Sequence, residues 1–243
     1  MRIPYKTRLL LALSFCAIVF IAGCVDTDVN PFPSSIDYSS QLKVVNLVPG
    51  AGDAALTLNG QSIGTATFGG DAPATTDFLT IPSGSKTLNA SFTTASDQSY
   101  QFPATTEYKM RAFIIGADAA NSEVVTMAQR YIWQTKDSPN GANLFPDSTG
   151  WVAFFNGSPD ATISTIEVDG EDSHLSSLAM GDGSPYLELP LANGSDEVVT
   201  FDVYYNDDAD HITIDVSVSN KGRYTVAVYD SAASIKNAVF VDD

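Results

Sequence analysis

Cysteine is nearly absent from this chain: Cys16 and Cys24 are the only two, and both lie close to the N-terminus. A disulfide framework is therefore excluded for everything that follows, and an exported domain here must be held by its own core. Histidine is as scarce, with His174 and His211 alone, both in the second half. Duplicated active sites built on histidine are excluded. No P-loop or H-E-x-x-H occurs, and Gly60-Gln61-Ser62-Ile63-Gly64, which fits G-x-S-x-G, starts on the Asn59-Gly60 turn pair with no helical run after it, so no nucleophile elbow is expected. This removes the signatures of nucleotide-binding proteins and zinc proteases. Positive charge is short too: 12 Lys+Arg stand against 29 Asp+Glu, a formal net charge of −17. A field of that sign repels nucleic acid and anionic head groups, so no nucleic-acid partner is expected. The acidity reads first as solubility, and second as attraction for cations or basic partners. Hydrophobic residues make up 44% and aromatics 10%, enough for packed cores rather than disorder.

What is present begins with a signal. Arg2, Lys6 and Arg8 precede an apolar run from Leu9 to Ile21, LLLALSFCAIVFI, and Ala22 and Gly23 then lead to Cys24. The run is too short for a comfortable membrane span of roughly 20 residues. A basic start, a short apolar core and small residues at the cut are the parts of a secretion signal. The series Ile21-Ala22-Gly23-Cys24 resembles the bacterial lipobox. That resemblance implies cleavage before Cys24 and a diacylglycerol and acyl lipid carried by it, so the chain would meet the membrane through its anchor. Val25, where Asp would favour inner-membrane retention, points to the outer membrane. The resemblance leaves open whether the body faces the periplasm or the surface. An ordinary signal peptide with a chance cysteine, or a short N-terminal anchor, is the alternative. Removing residues 1–23 takes away three basic residues and no acid, leaving 9 basic and 29 acidic residues, a balance of −20. Residues 24–40, rich in Pro and Ser, read as a lipid-anchored tether.

The rest reads as two copies of one unit. LKVVNLVPGAGDAALTLNG from Leu42 parallels WVAFFNGSPDATISTIEVDG from Trp151. FGGDAPATTDFLTIPSG from Phe68 parallels MGDGSPYLELPLANG from Met180, and YKMRAFIIGADAANSEVVTMAQ from Tyr108 parallels YTVAVYDSAASIKNAVFV from Tyr224. Within these pieces the period is two. In EVVTFDVYYN, Val199, Phe201, Val203 and Tyr205 form the expected core face. In HITIDVSVS that face is Ile212, Ile214, Val216 and Val218. Turn pairs such as Asn59-Gly60 and Asp169-Gly170 separate the runs. The fold class is all-β: two tandem antiparallel β-sandwich domains after a cleaved signal, at residues 41–130 and 150–243. A linker at 131–149 contains the aromatic residues Tyr131, Trp133 and Phe145.

VVNLVPGAGDAALTLNG, IPSG at Ile81 to Gly84 and YTVAVYD at Tyr224 to Asp230 resemble the bacterial domains grouped as DUF4397. The second copy replaces IPSG by LPLANG. The resemblance spans both repeats and implies immunoglobulin-like or transthyretin-like sandwiches on exported, often anchored proteins. It brings no activity and no catalytic residues.

Chemistry-bearing candidates are few. His174 and His211 would need to converge with Asp172 or Asp210 to form a metal site. The acidic stretches Asn206-Asp207-Asp208-Ala209-Asp210 and Asp242-Asp243 invite a calcium reading, with Asp207, Asp208 and Asp210 as ligand candidates. The first stretch lacks EF-hand spacing and reads more simply as a hairpin tip. Trp133 is the one candidate for ligand contact. Gly69-Gly70-Asp71 and Gly181-Asp182-Gly183 recur at matching places, as tight turns or as a binding edge. The expected function is non-enzymatic: a cell-envelope binding or scaffolding module, with an envelope protein or glycan as partner and no cofactor. A calcium- or glycan-binding surface adhesin is the alternative. A hydrolase using two carboxylates about 5 to 9 Å apart is the remote one.

Overall fold

The computed structural model describes residues 38–130, 148–206 and 210–242. The signal, Cys24, nearly all of the tether, Trp133, Asp207 and Asp208 lie outside these residues.

The strand-forming runs assemble as four sheets. In the first repeat an inner sheet runs β4 (Asp71–Ala72), β1 (Ser39–Asn46), β8 (Tyr108–Gly116), β9 (Ser122–Arg130), with β5 (Leu79–Pro82) also on β1. Its outer sheet runs β3 (Gln61–Ala66), β2 (Ala54–Leu58), β6 (Gly84–Phe92), β7 (Gln98–Ala104). The second repeat copies this order. Its inner sheet is β13 (Leu187–Pro190), β10 (Thr149–Asn156), β16 (Arg223–Tyr229), β17 (Lys236–Val241). Its outer sheet is β12 (Glu171–Leu178), β11 (Ile163–Val168), β14 (Glu197–Tyr205), β15 (Asp210–Val218). A bridge from Phe155 to Gly183 stands where the first repeat has β4. The fold is all-β, two sandwiches in tandem, and the shared strand order matches the three paired sequence segments.

Pairing is antiparallel throughout the named strands except at the centre of each inner sheet. There β1 runs parallel to β8, with Val44 beside Ala112, and β10 parallel to β16, with Phe154 beside Val226. Outer strands β2, β6, β7, β14 and β15 alternate as their period of two requires. Val199, Phe201, Val203 and Tyr205 are buried, whereas Val198 is exposed and Thr200, Asp202 and Tyr204 are half-buried. Central inner strands do not alternate: β10 and β16 are buried at every position. A strand covered on both faces is a continuous apolar run, as parallel strands commonly are.

The second cover on each inner sheet is the other inner sheet. Leu42, Val44, Met110 and Ile114 point into the first core with Leu56, Leu88 and Phe102. Val152, Phe154 and Val226 point into the second with Ile166, Phe201 and Val216. Val45, Leu47, Phe113, Ile115, Phe155, Ala227, Tyr229 and Phe240, the opposite faces of the inner strands, form a third cluster between the sandwiches. The layers therefore stack outer, inner, inner, outer. Phe113 and Phe155 lie face to face at the centre, 3.9 Å between centroids and 11° apart.

The recurring glycine loops belong to this junction. Gly69 (φ +80°) and Gly181 (φ +86°) occupy matching places, each donating its N–H to the carbonyl of the repeat's buried asparagine, Asn46 or Asn156. A side chain at Gly69 would strike Tyr229 of the second sandwich, and one at Gly181 would press on Ile115 of the first. Register makes Ile115 and Tyr229 counterparts, so the contact is reciprocal. These turns are close-packing points as well as left-handed ones.

Asn46 and Asn156 are fully buried and anchor the following loop in each copy. Asn156 donates to the carbonyls of Ala161 and Leu178 and accepts from Ser158 N–H; Asn46 donates to Gly52 and accepts from Val48 N–H. A buried amide with its bonds made is a fixed point of the core.

Candidate functional site

Charged residues inside the apolar runs mark the first concentration of chemistry. Lys43 in LKVV and Arg111 in MRAFII project from β1 and β8 towards the second sandwich. Both are buried. Arg111 donates through Nη2 (2.8 Å) and Nε (3.3 Å) to Asp242 Oδ1, and through Nη1 to Asp71 Oδ2 at 3.0 Å. Its Nη2 also reaches the Val241 carbonyl. Lys43 shares Asp71 Oδ2 at 3.0 Å and donates to the Thr75 carbonyl. The other oxygen of Asp242 accepts from Thr225 Oγ1 at 2.7 Å and Tyr186 OH at 3.0 Å. Lys109 Nζ donates to the Asp242 backbone carbonyl. The Phe78 ring lies 5.3 to 5.9 Å from the cationic groups of Lys43, Lys109 and Arg111.

Both carboxylates thus meet cations, Asp242 enclosed and Asp71 half-buried. With Arg223, which is drawn electrostatically to Asp242, four of the nine basic residues beyond Cys24 gather here. Asp242 is therefore an internal counter-ion, only 4% exposed.

The network has an alkaline signature. Burial pushes the Tyr186 phenol far above its ordinary value, and repulsion from Asp242 adds to it. Burial raises Tyr100 and Tyr229 as well. Above the ordinary phenol value of about 10, the unfolded chain releases protons that the folded chain retains. The stability these groups contribute is present below that pH and is lost progressively as pH rises above it towards the raised folded values. The urea midpoint should fall between about pH 9 and 11, and fall less in Tyr186→Phe. Parallel slopes for the two proteins would contradict this.

A second site lies on the open side of the first sandwich, between edge strands β3 and β5. Leu58, Asn59, Gln61, Ser62, Ile63, Leu79, Thr80, Ile81, Pro82 and Lys86 line a cavity of about 360 Å³. Asn59, Gln61, Ser62 and Thr80 are exposed and form its rim, while Leu58, Ile81 and Lys86 are buried. Lys86 is only 5% exposed, pointing inward from β6 in step with Leu88 and Ala90. Its Nζ donates to the Ser83 carbonyl at 3.2 Å.

The histidines stand apart. His174 is exposed beside Asp172, Nδ1 to Oδ2 3.4 Å, on β12. His211 rests on Tyr204, 5.1 Å between centroids, on β15. These strands are opposite edges of one four-stranded sheet, three strand spacings or roughly 14 Å apart. Asp210 is exposed at the start of β15. Among the described residues no three His, Cys, Asp or Glu gather as metal ligands. Arg111 and Lys43 were discoverable as cations interrupting apolar runs; Lys86, which carries the same signal less strongly, sits in an alternating one.

No known protein-family profile matches the chain, and no curated protein matches. Among solved structures, one similar chain is a "putative cell adhesion protein" from Bacteroides ovatus ATCC 8483. It is 12% identical, with a TM-score of 0.24, over 82% of this chain and 95% of that one.

Proposed function

We propose that this protein is a non-enzymatic binding or scaffolding module of the cell envelope, DUF4397-like in kind, held at the outer membrane by lipid on Cys24. The observation that carries the binding reading is the double burial of the inner sheets. The Arg111, Asp71 and Asp242 network joins the two sandwiches, so the buried Arg111 and Asp242 with the half-buried Asp71 hold a rigid body together. Edges, outer faces and loops remain to meet a partner, the usual place for recognition on a sandwich.

The anchor reading is supported by the ordered signal of residues 1–24. Several acyl chains at about 0.8 kcal/mol per buried methylene give stable attachment. Cys24→Ser should move the protein from the membrane fraction to the soluble one, or leave the signal uncleaved. Unchanged processing and attachment would overturn the anchor. Cross-linking in living cells should return one recurrent envelope protein if the body is a scaffold.

An adhesin reading has one observation of its own. The outer face of β14 and β15 carries a polar row: Thr213 donates to Asp202, Thr200 to Asp215, and Tyr204 to Glu167, with His211 on the Tyr204 ring. Such a row of hydroxyls, acids and ring faces suits a polar glycan. Glycan-array binding lost in Tyr204→Ala would favour it over the scaffold.

A further inference from the structure

The two repeats are each other's control, and they differ most instructively at Lys86. Leu58 pairs with Leu88 in the first outer sheet, and Val168 with Phe201 in the second. Leu58 and Val168 both precede the turn glycine pair, so Lys86 corresponds to Val199. Likewise Leu79 pairs with Leu42 and Leu187 with Val152, which makes Ile81 the counterpart of Leu189. In the second sandwich Val199, Leu189 and Leu191 are buried together in the core. The longer loop LPLANG supplies Leu191 to it. In the first sandwich the shorter IPSG supplies no such side chain, and the position of Val199 holds an ammonium group.

One copy of the fold thus closes this end with hydrocarbon. The other leaves a cavity with a cation at its floor. Nothing in the architecture requires the lysine, because the sister copy is built with valine. A buried ammonium is costly to desolvate unless its donors are satisfied. Among the described residues Ser83 is the acceptor shown for Lys86, which leaves two of three donors for something else. The cavity opens between two edge strands. Among the described residues, β3 pairs with β2 alone and β5 with β1 alone.

We propose that this cleft is a binding site for a small organic monocarboxylate with an apolar body. Its carboxylate would meet Lys86 Nζ, and its hydrocarbon would lie against Leu58, Ile63, Leu79 and Ile81. A volume of about 360 Å³ lies at the small end of ligand sites. A single cation among aliphatic walls matches one negative charge rather than a phosphate. The polar rim of Asn59, Gln61, Ser62 and Thr80 keeps the entrance wetted. This inference goes beyond the scaffold reading and does not depend on the lipid, so the outcome of Cys24→Ser leaves it untouched.

The test is calorimetric titration of the purified full chain with hexanoate and with hexanamide, which has the same length and no charge. Hexanoate should bind, and hexanamide should bind about tenfold to a hundredfold more weakly, the worth of a charge-assisted hydrogen bond. Lys86→Met should lose that preference while keeping or raising the melting temperature, since the ammonium is exchanged for hydrocarbon of similar length. Ile63→Trp keeps Lys86 and fills the cleft, so it should abolish hexanoate binding, and it serves if Lys86→Met fails to fold. No hexanoate binding at millimolar concentration, equal affinity for acid and amide, or unchanged binding in Ile63→Trp would each overturn the site.

Discussion

Arg111→Met should lower the free energy of unfolding by about 3 to 5 kcal/mol, the cost of leaving a buried charge without its partner. The residue is enclosed and holds both Asp71 and Asp242. Methionine fills most of the aliphatic volume, so the loss is electrostatic rather than a cavity. Asp242 Oδ1 would lose two N–H donors, while Thr225 and Tyr186 would continue to hold Oδ2. Asp242→Asn in the same chain should recover part of the loss, because it removes the orphaned charge and keeps an acceptor. Urea denaturation of the four proteins of this cycle gives the coupling, expected at about 0.5 to 3 kcal/mol for residues in one network. Simple additivity would show that Arg111 acts independently of Asp242.

Phe113→Ala should cost a similar amount, about 3 to 5 kcal/mol, for a different reason. Phe113 and Phe155 are both fully buried and stacked on each other across the junction. The register places Phe113 beside Val45 and Phe155 beside Ala227, so each ring has a smaller side chain as its lateral neighbour. Truncating one ring opens a void between two sheets that have their own outer cores. The damage should therefore appear in how the halves are coupled. Calorimetry of the unaltered protein should show a single transition, and Phe113→Ala a broadened or divided one. Two separate transitions in the unaltered protein would mean that the third cluster contributes little.

Much of the fold was legible. Strands β14 and β15 alternate plainly, and Val199, Phe201, Val203 and Tyr205 were readable as a core face because one side of their sheet meets water. The inner strands were recognisable as apolar runs, yet nothing local in them says what covers a second face. The cover is the other repeat, brought there by folding. The parallel pairs were hidden for a related reason. β1 and β8 belong to distant parts of the chain and share no hairpin turn, so no short-range signal joins them. At the sites, Asp242 was obscured because nothing in the sequence around it names the arginine of the other repeat that it meets. Lys86 was obscured because a lysine in an alternating strand reads as outward, until register against the second copy places it at a core position.

The reciprocal junction also bears on how such a protein could arise. Gly69 against Tyr229 mirrors Gly181 against Ile115, and Leu47 meets Gly157, two residues at matching positions. A patch that contacts its own counterpart is the geometry of an isologous homodimer. Joined in one chain, the halves meet at an effective concentration set by a tether rather than by expression level. A symmetric dimer must carry every substitution twice. A fused pair need not: Arg111 can face Thr225's side of the junction, Phe113 can correspond to Ala227, and Lys86 to Val199. Duplication followed by fusion turns one self-complementary surface into two that evolve separately, with one half free to keep the body closed while the other opens a cleft.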